Sequence, residues 1–420
     1  MQVSQSAPVA VRGWASALLA TVAAFAAMLV VASLGLWLAG ADSLPGGGFG
    51  SVVAATVLMS FGTPAQLDGS AVFVATAQGG ITALPLSVSV TGALVAGVLF
   101  LRPLRRHAVV GGRELLLRLV QLAVVWTAAT LVLSAAARHT FTVSTGEPLL
   151  DEIGGAIGAE PVVGFRVDPG PAVGHALLWL LIAVVLAVAV SSRTPLPSRL
   201  VRFHASVRPA AHAVLTLVLV YLGLGVVGGV VALVVGSQPR ETLAVIVLGL
   251  PNLAWLALGV GLGASWDGHV SGSLGLPFPE PLAAVLRSRQ NVTLDLSTLA
   301  DQDGRMWLLL PLAAVLVLLA GVATAWRAPV ALPAWRHALH LAVALAVAML
   351  LIGLATRISA VYGLSLLGLG GNGSVSLQPN LLTAVPIAAG WGAVAGLLGG
   401  LAAPHLRRPG RQQPVPPATG

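Results

Sequence analysis

The chain has 420 residues, of which 57% are hydrophobic and only 9% charged, with a mean hydropathy of +0.93. Soluble domains carry about 25% charged residues, so this composition places the chain in lipid and leaves no polar segment long enough for a separate soluble domain. Cysteine is absent, which excludes disulfides, thiolate metal sites and thiol chemistry, and the net charge of +8 comes from arginines between apolar stretches, a signature of membrane orientation and anionic-lipid contact rather than of nucleic-acid binding.

In chain order, the first apolar span runs from Trp14 to Ala41, with Trp14 and Trp37 as interfacial anchors. Ala39-Gly40-Ala41 looks like a signal-peptidase site, but the apolar stretch exceeds the roughly 7 to 15 residues of a signal core, which favours a retained helix. Further spans are expected at 84–101, 115–137, 171–190, 210–236, 306–325, 338–354 and 381–403, each near the ~20 residues that cross the hydrocarbon core. Phe49 to Phe61 is apolar but too short to cross.

Thr242 to Ala264 is also apolar and is interrupted by Leu250-Pro251-Asn252. Two topologies compete for it. If it crosses, nine spans result, and the acid-rich stretch from Asp267 to Asp303 lies on the same side as the early basic loops. If it is a re-entrant or surface-lying helix pair broken at Pro251, eight spans result and every basic group stays inside. The arginines favour the second. Arg12, the groups 102–118 and 193–208, the pair Arg327 and Arg336, and the tail group 407–411 include a single acid, Glu114, whereas the other acids lie in the intervening segments. Basic loops are retained in the cytoplasm, so both termini are expected there. The fold expected is therefore an all-α polytopic bundle of four helical hairpins, in one domain over 14–403, with a short cytoplasmic N-terminus at 1–13.

The four descending helices share a lead-in, a short polar or proline-containing segment before the apolar run and a terminal arginine after it. Duplication produces such a pattern, and so does the positive-inside rule acting on unrelated helices. The stretches LGLWLAGADSLPGGGFGSVVAATVLMSFG, GGITALPLSVSVTGALVAGVLFLRPLRR and GNGSVSLQPNLLTAVPIAAGWG resemble the streptophobe family of actinobacterial hydrophobic membrane proteins. The resemblance covers nearly the whole chain and implies a multi-pass cell-membrane protein whose molecular function is unassigned; it brings no active residues with it.

Chemistry-bearing patterns are sparse. Gly225 and Gly229, Gly259 and Gly263, and Gly392, Gly396 and Gly400 have the four-residue spacing that lets a neighbouring helix approach closely, within the bundle or across a homo-oligomer. His337 and His340 stand one turn apart without a carboxylate or thiolate to complete a metal set, so no metal and no cofactor is expected. Glu147, Asp151, Glu152, Glu160 and Asp168 form an acidic outer loop without EF-hand spacing. Ser271 and Ser273 follow His269 with nothing to align a nucleophile with its base, and no phosphate loop, zinc-protease motif or dinucleotide fingerprint occurs. No span carries an acid near its centre; the candidate polar lining is Gln121, Thr127, Ser134 and Asn252. The tail Pro404 to Gly420, basic and proline-rich, is expected to be disordered near anionic headgroups.

The function expected is that of a non-enzymatic, envelope-associated scaffold in the lipid bilayer, binding an envelope protein partner and no nucleic acid. The alternative is a permease or channel for a small uncharged or lipidic solute, with a cavity at Pro251 and Asn252.

Overall fold

The computed structural model describes residues 7–71, 75–104, 112–142, 162–191, 198–271, 291–328, 332–366 and 369–406. The chain is an all-α polytopic bundle with a sheet built on one end. Its helices are α1 (Ala7–Leu38), α2 (Phe49–Met59), α3 (Leu86–Leu104), α4 (Gly112–Ala136), α5 (Pro169–Val190), α6 (Ser198–Val235), α7 (Pro239–Gly261), α8 (Leu296–Gln302), α9 (Leu309–Arg327), α10 (Ala334–Ala355) and α11 (Leu381–Leu406). The long ones are apolar on all sides, as helices surrounded by lipid and protein must be. Among the described residues nine are long and apolar enough to cross a membrane: α1, α3 to α7 and α9 to α11. α1 buries Phe25 and Met28 in the core, so it is an integral part of the bundle. Of the tail, the described residues end at Leu406.

The excursions expected outside as polar loops contain, among the described residues, the strands β1 (Ala65–Ala71), β2 (Ala75–Ala83), β3 (Arg138–Thr142), β4 (Val162–Arg166), β5 (Trp266–Ser271), β6 (Asn291–Leu294), β7 (Ile358–Leu366) and β8 (Leu369–Pro379). They form one antiparallel sheet in the order β3-β4-β1-β2-β7-β8-β5-β6. An eight-stranded sheet pairs its own backbone polar groups, which suits excursions next to an apolar bundle better than irregular loops would.

The order helix, helix, hairpin, helix, helix, hairpin, helix occurs twice, once from α1 to α5 and once from α6 to α11, with α8 inserted in the second copy. Strand order agrees: β3-β4-β1-β2 in the first half becomes β7-β8-β5-β6 in the second. Register agrees as well. Gln66, four residues after Gly62, faces Arg166; Asp267, four after Gly263, faces Gln378. His139 faces Phe165 as Ile358 faces Leu377. Both Gly62 and Gly263 end a helix in the left-handed region, at φ 96° and 93°, where the amide of each closes the last turn and a Cβ would be strained. Trp179 and Trp391 each lie eleven residues after the polar residue preceding the descending helix, Asp168 and Asn380. The halves are a tandem repeat, and each has its own core cluster. Duplication of a two-hairpin unit thus relates the lead-in of α3 to that of α9 and the lead-in of α5 to that of α11.

The segment 242–264 needs correcting in one respect. It is a single continuous helix, α7, with Pro251 inside it, and not a pair broken there. Its contacts are with strand-bearing ends: Leu248 lies against Gly35 near the end of α1, Asn252 bonds the first residues of α3, and Gly261 lies against Leu309 at the start of α9. At the opposite end of the bundle, Arg327 at the foot of α9 hydrogen-bonds His212 of α6 at 3.4 Å. The chain therefore enters α6 at the strand-free end and leaves α7 into β5, part of the common sheet, so α6 and α7 together make one net traverse. The eight-crossing topology requires that parity.

Charge is divided between the ends less cleanly than the sequence suggested. Arg102, Arg113, Arg118, Arg208, Arg327 and Arg336 lie toward the strand-free end, where Glu114 pairs with Arg118 at 2.8 Å. Asp42, Asp68, Asp168, Glu241, Asp267, Asp295, Asp301 and Asp303 lie toward the sheet, but so do Arg138, Arg166, Arg240, Arg305 and Arg357. Exposed tryptophans mark both boundaries, Trp14, Trp326 and Trp335 at one and Trp37 and Trp307 at the other, the placement favoured by an amphipathic ring at the headgroup level.

Candidate functional site at the sheet-bearing end

Asn252 is the most consequential of the expected site residues, and its side chain is engaged by backbone at both of its polar atoms. Its side-chain carbonyl accepts from the Leu86 amide at 3.1 Å, and its amide donates to the Leu84 carbonyl at 2.8 Å. It thereby satisfies one of the orphan amides that start α3, and it ties the second half of the chain to the first. Pro251 beside it is buried within α7.

The glycine pairs are internal contacts. A Cβ on Gly392 would lie 2.7 Å from Ala342 Cα, one on Gly396 2.5 Å from the His337 carbonyl, and one on Gly400 2.8 Å from Ala334 Cα, so this strip seats α10. Gly225 and Gly229 seat the Leu250, Ala254 and Ile246 side chains of α7. Gly259 lies beneath the Trp266 ring, while Gly263 supplies the helix-ending turn. Gly225, Gly229, Gly259, Gly392, Gly396 and Gly400 are thus each in contact with a neighbouring element of the same chain.

His337 is buried against Gly400, and among the described residues no group of three or more His, Asp or Glu side chains converges as metal ligands would. Of the candidate polar lining, Ser134 donates to the Thr130 carbonyl and Gln121 packs over Gly13, while Thr127 is half-buried in α4. A crevice near the strand-free end, bordered by Ser16, Phe100, Arg118 and Leu122, has room for about one water. Residues 147–160 of the acidic loop and Ser273 lie outside the described residues.

The polar chemistry that the sequence did not reveal is on the sheet. Arg166 of β4 donates to Gln66 of β1 at 3.2 Å and has Asp68 and Asp168 at 3.5 and 3.7 Å, while Gln66 donates to Asp168 at 2.7 Å. The equivalent positions of the second half are Asp267, His269, Gln378 and Asn380, a second polar group of different charge. Beside it, Asp295 caps α8 in a reciprocal capping box with Thr298. Burial raises the Asp295 carboxyl, but hydrogen bonds from Ser297 and Thr298 outweigh it and hold the group below its ordinary value. The signal for these clusters was weak: residues 100 apart in sequence meet only through strand pairing.

Comparison with family models, with curated proteins and with solved structures finds no match to this chain. The nine long apolar helices among the described residues identify a multi-pass membrane protein.

Proposed function

We propose that this protein is a non-enzymatic scaffold of the cell membrane, with both termini cytoplasmic and the eight-stranded sheet offered on the outer surface to an envelope protein. The observation that carries the reading is the sheet itself. All four outer excursions of the chain contribute to one surface, on which Gln66, Asp68 and Arg166 are held in register by the β1–β4 ladder, with Asp168 bonded to Gln66 just beyond it. Support also comes from the bundle, where Asn252, Ser134 and Ser89 are engaged by neighbouring groups instead of facing a path for solute. The resemblance to the streptophobe family fits this reading, and membership of that family is proposed with it.

The permease alternative has one observation in its favour. Parallel repeats occur in transporters, whose sites lie at the repeat interface, and Asn252 stands at that interface here. One comparison separates the two. A photo-crosslinking amino acid at Asp68, used in intact envelopes, is expected to capture a discrete protein, and proteoliposomes are expected to show no proton flux under a pH gradient. No adduct at Asp68, with solute-dependent flux that Asn252→Ala abolishes, reverses the assignment. Sidedness is checked separately. Single cysteines at Asp301 and Gly158 should label from outside with an impermeant thiol reagent, and those at Ser192, Arg327 and Thr419 only after permeabilisation.

A further inference from the structure

The two halves meet head to tail. β2 closes the first half and pairs over nine residues with β7, the opening strand of the second. The counterpart of β2 is β6, because Ile81 faces Ala65 as Leu294 faces Trp266. The counterpart of β7 is β3, because Ile358 faces Leu377 as His139 faces Phe165. Among the described residues β6 and β3 are the two outermost strands of the sheet, and no pairing joins them. A junction that uses different surfaces on equivalent units leaves, at the two ends of the pair, one unused copy of each surface. The chain therefore carries both parts of an interface that it has already built once.

We propose that a second copy of this chain docks at these edges, β6 of one copy pairing antiparallel with β3 of the next in the register of the β2–β7 ladder. Gly80 faces Val361 in that ladder, and their equivalents are Thr293 and Thr142. The register thus sets Thr293 opposite Thr142 of the second copy. It also sets Asp295 opposite Thr140 and diagonal to Arg138, a cross-strand position at which opposite charges attract. Arg138 is exposed at the β3 edge, and on the β6 side Asp301 of α8 is exposed and Asp303, at the end of α8, is half-buried. The acidic group has no equivalent in the first half, where Thr82 of β2 holds the place of Asp295, so the complementary charge lies at the free edges alone. Both halves carry their strands on the same end of the bundle, as parallel repeats do, so further units joined by the same operation remain in one membrane.

The test uses the full chain in its native membrane, where the absence of cysteine makes introduced thiols the only ones. Thr142→Cys and Thr293→Cys are placed on separately tagged copies, co-expressed and oxidised. The expected product is a disulfide-linked species carrying both tags, lost on reduction and at least tenfold more abundant than that from either variant paired with wild type. Gly80→Cys with Val361→Cys in one chain is the control, expected to close within the chain and confirm that this ladder position crosslinks. Failure of the first pair while the control closes overturns the proposal. So does closure of Thr142→Cys and Thr293→Cys within a single chain, which marks an intramolecular barrel instead. If those variants do not accumulate in membranes, wild-type protein in nanodiscs decides. Masses of two or more copies, reduced to one by Arg138→Glu, support the junction, and a monomer at every concentration refutes it.

Discussion

The two halves have the same topology and register but fill their cores by different means. In the first, α4 and α5 meet across large side chains: Trp126 stacks on Trp179 with centroids 5.6 Å apart, and Phe25 and Phe61 meet Trp126 edge-on. In the second, the position of Trp126 is taken by Leu345, and Leu180, Val184 and Val188 of α5 become Gly392, Gly396 and Gly400 of α11. A cluster of rings holds two helices together through offset and edge contacts, whereas glycines let the two backbones touch directly. One backbone plan thus accommodates two packing solutions, provided that large side chains on one helix are matched by space on the other.

Breaking the ring cluster should have the largest effect. Trp126 is fully buried, and Trp126→Ala removes the centre of three aromatic contacts, with Phe25, Phe61 and Trp179, so a loss of about 3–5 kcal/mol is expected in detergent unfolding of the purified protein. Leu345→Ala, at the equivalent place, removes a smaller side chain and should cost less; an equal or greater loss would show that the second half depends on this layer as much as the first.

Adding a methyl group should separate the halves more sharply. Gly396→Ala drives a Cβ into the His337 carbonyl and Ala338 Cα, backbone that cannot rotate away, so about 1–3 kcal/mol is expected to be lost. Val184→Ala at the matching position opens space instead, and its loss should fall off when a larger side chain is restored. If Gly396→Ala unfolds no earlier than wild type, the close-contact account of α10 and α11 fails.

The smallest effect concerns the insertion that only the second half has. The Asp295 carboxyl, held below its ordinary value by its capping bonds, contributes stability that is fully present above the unfolded value of about 4 and is lost as the pH falls through the lower, folded one. Asp295→Asn keeps a capping oxygen without the titration. The stability difference between wild type and variant should therefore narrow on acidification below about pH 4, and a constant difference would remove α8 capping from the pH response.

Much of the bundle could be read in the sequence because lipid imposes a length and an apolar surface on each helix, and because arginines mark the strand-free ends. The parity of α6 with α7 was legible for the same reason. The continuity of α7 through Pro251 was not, since proline usually breaks a helix unless packing around it compensates, and that packing comes from α6 as well as α1, α3 and α9. The bonds that Asn252 makes, to Leu84 and Leu86, were not legible either, because these partners lie more than 160 residues away.

By itself the sequence determined the class of protein, the apolar helices and the distribution of arginine, because each of these depends on the local chemistry of a segment in lipid. The sheet, the repeat and the use of each glycine strip were decided only by tertiary structure. Short strands such as Arg138–Thr142 and Val162–Arg166 have too little periodicity to declare themselves, and their order follows from pairing across the chain. The repeat likewise survives in register and in a few positions such as Gly62 with Gly263 and Trp179 with Trp391, while the side chains that fill its two cores have exchanged volume for closeness.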